Sequence, residues 1–367
     1  MRGKERKQAV LFTATSAETL VARNLAPNHP LRKIKERTDA VLATLNADID
    51  TLYSDRGRPS IPPEQVLRAL LWQALFSVRS ERQLEEVLTF DLRCRWFVGL
   101  GIDDTAWDHS TFSKLRQSLL LETLSEMFFA RHLEFLRAEG LVSDEHLSVD
   151  GTLLAAWASQ KSLIRKDDLD KNGRPPAVEG GRNAWVDFKG TKRSNATHVS
   201  ATDPESRLAS KGGTPKLAHE LDVLADNRNN FVVGLTVTPP SGTSERASAL
   251  TLVREQIANG HAPETVGADR AYSAGDGLVE SLFAINVDPH FAVRDDHRKS
   301  LARLFHEQPG FKVSIRKRMR IEEIFAYLKG VCRLGQLKVR GAVRVLGVCL
   351  IGASAYNLTH ECRLTRV

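Results

Sequence analysis

The sequence is poor in cysteine, methionine and tyrosine. Its 367 residues include four cysteines, three methionines and four tyrosines. The cysteines Cys94, Cys332, Cys349 and Cys362 show no Cys-x-x-Cys spacing. This argues against a structural zinc site and against a disulfide framework. Unpaired thiols are typical of a reducing compartment, so we expect a cytoplasmic protein.

Long hydrophobic runs are also lacking. The N-terminal sequence MRGKERKQAVLF is basic but contains no long apolar stretch, and it does not predict a signal peptide. The most apolar segment, Val345 to Ala355, is too short to cross a bilayer and predicts a buried helix. We therefore expect no membrane partner. The sequence has neither a P-loop nor a G-x-S-x-G motif, which argues against ATP-driven and serine-hydrolase chemistry.

Positive charge is in excess. The formal net charge is +7 and the isoelectric point is about 9.3. Such a balance favours a polyanionic partner, nucleic acid first, although a basic protein without such a partner is the alternative. With 42% hydrophobic residues, the chain is long enough for a substantial core and about two domains.

The first 140 residues predict helices. Residues 1–60 form a polar N-terminal arm with one amphipathic helix, from about Leu31 to Tyr53. Residues 61–140 predict short helices joined by tight turns, and Ser80 with Gln83 forms a capping box. This pattern suits a helical DNA-binding domain, with an ordinary helical bundle as the alternative. One helix carries an apolar stripe at the spacing i, i+3, i+4 and i+7: Leu67, Leu70, Leu71 and Ala74.

Residues 141–367 predict alternating strands and helices. The strand LSVD runs into Asp150, and the strand TVGAD ends at Asp269. Apolar runs on both sides of Asn227–Asn230 predict a hairpin. This order predicts an α/β fold in which helices flank one mixed sheet, preceded by an all-α N-terminal domain.

Three further segments complete this part of the chain. Residues 159–215 are polar and basic, which predicts an excursion between strands. A helix is expected from about Arg316 to Leu334, and a last apolar helix from about Ala342 to Leu358.

The two strand-end aspartates suggest a metal site. Carboxylates are costly inside a sheet unless they are paired, hydrogen-bonded or bound to metal. Asp150 and Asp269 from adjacent strands, with a third acid on a helix, would offer the oxygen ligands that Mg²⁺ prefers. Asp150 as a turn former before Gly151, and Asp269 as an ordinary surface charge, are the alternatives.

The third acid is expected in the segment RKRMRIEEIFAYLKG. Arg318, Glu322 and Lys329 are spaced to share one face of a continuous helix. Glu323 is the rival and lacks this spacing, while a solvated Arg318–Glu322 pair is the simpler interpretation. Three such carboxylates suggest two-metal phosphodiester chemistry.

Taken together, these segments resemble the bacterial insertion-sequence transposases of the DDE type, in the group called insertion-sequence family five. The resemblance covers nearly the whole chain. It implies a ribonuclease-H-like catalytic domain and DNA transposition through terminal inverted repeats. The motifs that carry it are GRPSIPPEQVLRALLWQ, SERQLEEVLTFDLRCRWFVGLGIDD, WDHSTFSKLR, LSVDGTLLAAWAS, KRSNATH, TDPESRL, GADRAY, RIEEIFAYLK and AYNL.

The resemblance implies that Asp150, Asp269 and Glu322 are the catalytic, metal-binding residues. The family motif spaces an Arg, the catalytic Glu and a Lys as Arg318, Glu322 and Lys329 are spaced here. The expected cofactor is Mg²⁺ as two ions, for which Mn²⁺ may substitute. Further residues expected to contact DNA or its phosphates are Arg318, Lys329, Arg270 (where the family often has Lys), Tyr272, Lys192 and Arg193.

The resemblance also implies partners. They are double-stranded DNA, as terminal inverted repeats and target, and at least one further copy of the chain, because two ends must be synapsed. We therefore expect a homodimer or larger assembly on nucleoid DNA. Two other functions remain open: a catalytically silent or repurposed DNA-binding protein, and a nuclease of the same fold that never joins strands.

Overall fold

The computed structural model describes residues 16–53, 60–116, 119–169, 193–274, 276–293 and 300–365. Lys192 and much of the predicted basic excursion lie outside these ranges. Two compact units are present. One comprises Met1–Leu141, Gly330–Arg333 and Gly347–Val367, and the other comprises Val142–Lys329 and Leu334–Leu346. The predicted domains 1–60, 61–140 and 141–367 remain predictions. The observed units differ from these domains, because Gly347–Val367 belong to the first unit, which we call the helical unit, and not to the second.

Helices form all the regular structure described before residue 142, and strands appear only after it. The α-helices are α1 Ala17–Asn24, α2 Pro30–Thr44, α3 Asn46–Thr51, α4 Pro63–Leu75, α5 Glu81–Phe90, α6 Leu92–Val98, α7 His109–Arg116, α8 Leu119–Ala138, α9 Ser244–Ala258, α10 Gly277–Phe283, α11 Phe311–Arg318, α12 Ile321–Gly330 and α13 Ala342–Leu364. The strands are β1 His146–Ala155, β2 Leu163–Arg165, β3 His198–Ser200, β4 Arg207–Ala209, β5 Lys216–Asp226, β6 Val232–Thr238, β7 Thr265–Ala268 and β8 Asp288–Phe291.

Helix α4 is the centre of the helical unit. It begins at Pro63, where a missing N–H costs no intrahelical hydrogen bond. The predicted stripe is buried, and so is most of the rest of the helix, including the fully buried Trp72. The neighbouring helix α5 is capped as predicted, because Ser80 Oγ accepts a hydrogen bond from the Gln83 N–H at 3.2 Å. The predicted stripe and the predicted cap are confirmed, and DNA binding by this domain stays a prediction.

The single helix predicted from Leu31 to Tyr53 is wrong. The chain forms α2 and α3, separated at Leu45, whose N–H bonds to the carbonyl of Leu42 rather than continuing the helix. Leu45 is buried. The apolar periodicity therefore continues through the break between α2 and α3. Packing of Leu45 stabilises the break, and no glycine or proline in the sequence indicates it.

Helix α13 extends beyond its predicted end. It has 23 residues and is long and apolar enough to cross a membrane, yet most of it is buried within the protein, as in the core helix of a globular domain. Near its end, Glu361 pairs with Arg37 at 2.6 Å and with the buried His132 at 2.9 Å. These contacts, all within the helical unit, fix the last turns of the helix.

The second unit is built on a six-stranded mixed sheet. Strand β1 pairs antiparallel with β5 and parallel with β7, and β7 pairs parallel with β8. Strands β4 and β6 both pair with β5, while β2 and β3 form a separate two-stranded sheet. The order β6-β5-β1-β7-β8, with β7 and β8 parallel to β1, is that of a ribonuclease-H-like sheet. The fold class expected from sequence is therefore confirmed.

The hairpin predicted around Asn227–Asn230 joins β5 to β6. Asp226 closes the turn, because its carboxylate accepts hydrogen bonds from the N–H groups of Arg228, Asn229 and Phe231. Asn230 adopts a left-handed backbone conformation with φ 67°, which asparagine tolerates better than most residues. This tight turn sets the antiparallel pairing of β5 with β6, whose register shifts between Leu224 and Ala225.

The two faces of the sheet are covered by different helices. A Cβ added to Gly151 in β1 would lie 3.1 Å from Glu245 of α9, whereas one added to Gly267 in β7 would lie 3.2 Å from Ser314 of α11. Because side chains alternate along a strand, Asp150 lies on the face opposite to Gly151, which is the α11 face.

Candidate active site

Asp150 lies within β1 rather than at its end. The predicted strand end is wrong, because β5 pairs with β1 as far as Ala155. Parallel pairing with β7 stops earlier, at Ser148 and Gly267, so Asp150 lies where β1 loses one of its two neighbours. The carboxylate is accessible from that open edge while remaining mostly buried.

Asp269 follows β7 directly and is brought beside Asp150. The register pairs Ser148 with Gly267, and two residues further along each chain it reaches Asp150 and Asp269. Both side chains therefore lie at one edge of the sheet. Asp269 Oδ1 accepts a hydrogen bond from the Ala271 N–H at 2.7 Å. No ion pair to Asp269 is present among the described residues.

The charge state of Asp150 reflects this crowding. Burial raises its pKa to about 6, and the charge of Asp269 adds to the rise. The Gly151 N–H, which donates to Oδ1 at 2.8 Å, lowers the pKa. Arg318, whose Nη1 lies 3.1 Å from Oδ2, also lowers it. Two adjacent carboxylates, of which Asp150 alone is paired with an arginine among the described residues, repel each other, and this favours a bound cation.

The single helix predicted from Arg316 to Leu334 is wrong. Helix α11 ends at Arg318 and α12 begins at Ile321, with Met319 and Arg320 in a turn between them. Arg318 and Glu322 consequently do not share a helix face. The turn directs Arg318 towards Asp150, while Glu322 stands in the first turn of α12, exposed and without a partner among the described residues.

Lys329 and Glu322 do lie on one helix, α12. The Lys329 ammonium donates to the Thr152 hydroxyl, two residues along β1 from Asp150. Burial, followed by the charge of Lys211, lowers the pKa of Lys329, and the charge of Glu322 opposes the change. Arg318 and Lys329 therefore contact the same face of β1, and Glu322 lies within electrostatic reach of Lys329.

The three predicted metal ligands are not drawn together. In the described part of the chain, only Glu85, Asp108 and His109 place three ligand atoms within 4.8 Å of one another. That group lies at the start of α7, where the Asp108 carboxylate accepts from the Ser110 N–H at 2.8 Å, as an N-terminal cap does. The structure thus brings Asp150 and Asp269 together and leaves Glu322 farther away.

The other residues predicted to contact DNA differ in how exposed their side chains are. Arg270 is exposed beside Asp269. Arg193 donates to the Gln160 carbonyl at 3.0 Å. Tyr272 is 1% exposed, so the predicted DNA contact of this side chain is wrong. Its ring packs near Phe291 in the interior instead.

A second group of carboxylates was not predicted from the sequence. Glu220 and Asp222 in β5 and Glu245 in α9 lie on the face of the sheet opposite to Asp150, and we call them the α9-face acids. The alternation of polar residues in HELD was the available signal, but exposed strand faces show the same pattern. Packing of α9 on β5 buries Glu220 and Asp222 and leaves Glu245 half-buried.

Asp222 is fully buried, with no hydrogen-bond partner for either carboxylate oxygen among the described residues. Burial, followed by the charge of Glu220, raises its pKa from 3.8 to about 8. The folded state therefore binds a proton that the unfolded state releases near pH 4. The stability that this proton contributes is complete below the unfolded pKa and is lost as pH rises towards 8.

We expect Asp222→Asn to flatten this pH dependence. Measured with a chelator present, the free energy of unfolding of the wild-type protein should fall between about pH 4 and pH 8, on the scale of 1.4 kcal/mol per pKa unit. The asparagine variant should lose most of that slope and be the more stable protein at pH 8. Parallel curves for the two proteins in urea unfolding would contradict the assignment.

Two family models match different parts of the sequence. The family model "Transposase domain (DUF772)" matches residues 20–118, and the model "Transposase DDE domain" matches residues 189–358. No curated protein matches the sequence. Among solved structures the chain is similar to "Mos1 transposase paired-end complex with left transposon end", with 11% identity, 77% of this chain and 82% of that chain covered, and a TM-score of 0.21.

A second similar structure is "Crystal structure of the Mos1 mariner paired end complex with Mn". It shares 14% identity, with 87% of this chain and 91% of that chain covered, at a TM-score of 0.19. TM-scores this low carry no structural detail over to this chain. The family models, in contrast, together match more than two thirds of its sequence. The chain belongs to the DDE transposases.

Proposed function

We propose that this chain cuts DNA at the terminal inverted repeats of its own element and joins the ends to target DNA. Asp150, Asp269 and Glu322 would hold two divalent cations, normally Mg²⁺. The observation that carries this proposal is the placement of Asp150 and Asp269 at one sheet edge, in register and on the α11 face. The DDE family match supports it.

The residues present fit such cations. Carboxylate oxygens are the ligands that Mg²⁺ and Mn²⁺ prefer. Burial first, and then the charge of Asp269, raise the pKa of Asp150, and a bound cation would oppose both effects. When bound, the cations would activate a water or a DNA 3′-hydroxyl and stabilise the leaving oxygen. Glu322 would complete the set by an approach of α12 or of its own side chain.

Arg318 and Lys329 would orient the DNA backbone. Each contacts β1 on the face that carries Asp150, and each donates through a charged group suited to phosphate oxygens. With Asp150 holding a cation, the Arg318 guanidinium would be freed from its carboxylate partner. It can then hold the phosphate next to the scissile bond, which is a positioning role.

The helical unit would recognise the inverted repeats, and the basic residues 159–215 would contact the backbone. Phosphate contacts make such binding strongly dependent on salt. Joining two ends requires that they be held together, so we propose a dimer or larger assembly on DNA. DNA cleavage and joining would take place on chromosomal DNA in the cytoplasm.

The experiment uses DNA from both flanks of the gene, with and without the inverted repeats. Purified protein and Mg²⁺ are incubated first with intact ends and then with pre-cut ends plus a target plasmid. We expect specific cleavage of the first substrate and joined products from the second. Cleavage without joining would show a nuclease, and binding without either reaction would show a DNA-binding protein; both outcomes contradict the proposal.

A further inference from the structure

The α9-face acids are compensated by one visible cation. Glu220 and Asp222 are 3% and 0% exposed, a placement that is costly for carboxylates unless protons, hydrogen bonds or cations compensate it. In the described part of the chain, Lys211 is the only cation paired with these acids. The Glu220 carboxylate accepts a hydrogen bond from the Ser244 hydroxyl, but neither Glu220 nor Asp222 has a cation paired with it in the described part of the chain.

The contacts of Lys211 are those of a small cation. Its Nζ donates to the Gly151 carbonyl oxygen at 2.8 Å and to Glu245 Oε1 at 2.6 Å. It therefore lies between a backbone carbonyl and a carboxylate, the mixed oxygen set that divalent cations favour. About half of the Lys211 side chain is exposed, so the ammonium can leave without unfolding its surroundings.

Several buried polar atoms beside the acids lack partners. They are both Asp222 oxygens, the Ser248 hydroxyl and the Tyr272 hydroxyl. The Ser248 hydroxyl lies near enough to Asp222 to lower its pKa, but none of these atoms meets hydrogen-bond geometry with a partner within the described residues. Burial first, and then the charges of Asp222, Asp150 and Glu245, raise the pKa of Tyr272, which places its hydroxyl near these carboxylates. Native proteins rarely leave so many adjacent polar groups unsatisfied, which points to a bound water or ion.

The backbone approaches these acids closely because residue 151 is glycine. A Cβ there would lie 2.5 Å from Asp222 Oδ1 and 3.1 Å from Glu245 Oε1. Any side chain at this position would fill the space between the two carboxylates. The Gly151 carbonyl can therefore act as a ligand together with them.

We propose that the α9-face acids bind a divalent cation, Mg²⁺ or Mn²⁺, in the place that the Lys211 ammonium takes here. The site lies across β1 from Asp150 and uses no residue of the triad. The three carboxylates do not yet converge within 4.8 Å. Glu245 would turn from Lys211 towards Asp222 as the ammonium leaves. The site needs no DNA cleavage, so it does not rest on the proposed function.

The test removes the triad first. The full-length triple variant Asp150→Asn, Asp269→Asn, Glu322→Gln is titrated with Mn²⁺ while electron paramagnetic resonance follows the free ion. We expect one bound Mn²⁺ per chain and a rise in melting temperature with Mn²⁺ concentration. Adding Glu245→Gln or Asp222→Asn should weaken binding by more than about tenfold, since both remove a direct ligand.

Two further variants keep the proposal falsifiable if Asp222→Asn fails to fold. Lys211→Met removes the competing ammonium and should tighten Mn²⁺ binding, an effect opposite in sign to loss of structure. Glu145→Gln, an exposed acid of the same unit, is the matched control and should change nothing. The proposal is overturned if the triple variant binds no Mn²⁺, or if Glu245→Gln and Lys211→Met leave its affinity unchanged.

Discussion

Asp150→Asn is expected to abolish cleavage of transposon ends, with a rate loss of roughly 10³-fold or more, the scale on which a preorganised charge-stabilising group matters. Asparagine preserves the shape of the side chain but removes the charge that would hold a divalent cation. The site should remain folded, because the pKa of Asp150 shows that its burial already disfavours the ionised form. The measurement is the rate of end cleavage in Mg²⁺, with binding to the same DNA followed by gel shift.

Binding should survive in this variant, because the proposed function assigns DNA binding to the helical unit and the basic residues. Asp269→Asn is expected to behave in the same way, since its carboxylate lies beside that of Asp150. Glu145→Gln serves as the control for loss of an acidic charge in the same unit. Wild-type cleavage by Asp150→Asn would remove Asp150 from the chemistry.

The second large effect separates Glu322 from Glu323. Both are exposed in the first turn of α12, and neither side chain has a hydrogen-bond or ion-pair partner among the described residues. Replacing either by glutamine should therefore change stability by no more than about 0.5 kcal/mol. Glu322→Gln should lose cleavage as Asp150→Asn does, because it removes the proposed third carboxylate ligand of the cations.

Glu323→Gln should cleave within about twofold of the wild-type rate, as expected of a surface substitution away from the site. The two variants make the same change of charge and size at adjacent positions in the first turn of α12. Each is therefore the matched control of the other. The reverse pattern, with Glu323→Gln inactive, would assign the third ligand to Glu323. Full activity in both variants would leave the triad without its third member.

The sequence predicted the elements that depend on local periodicity. The stripe of α4 and the hairpin at Asn227–Asn230 follow from apolar spacing and turn chemistry that neighbouring residues specify. Helix α12 likewise buries Ile321, Ile324 and Phe325, which recur at the helical spacing i, i+3 and i+4. The positions of these elements could be predicted because each needs only its own sequence to identify its buried face.

Features that depend on distant partners were not predicted. Asp150-Gly151 suggested a strand end, but pairing with β5 carries β1 on to Ala155. The break between α11 and α12 has no glycine or proline to mark it. The ion pair between Arg318 and Asp150, which are distant in sequence, accompanies that break. The position of the Glu322 carboxylate therefore could not be predicted from the helix pattern.

The α9-face acids illustrate the same limit. In sequence, Glu220 and Asp222 have the spacing of a solvent-facing strand. Only the packing of α9 over β5 shows that this face is interior, and only the missing side chain of Gly151 shows how close the acids come to β1. Burial of charge is a property of the assembled layers, so the sequence pattern alone gave no reason to expect it.

Replacing Asp150 with cysteine tests most directly whether this residue binds a metal ion needed for DNA cleavage. A thiolate is a softer ligand than a carboxylate and accepts Mn²⁺ more readily than Mg²⁺. The wild-type protein should cut transposon ends with either ion, whereas Asp150→Cys should cut measurably with Mn²⁺ and not with Mg²⁺. A cysteine variant that cuts equally well with both ions would show that Asp150 is not a metal ligand.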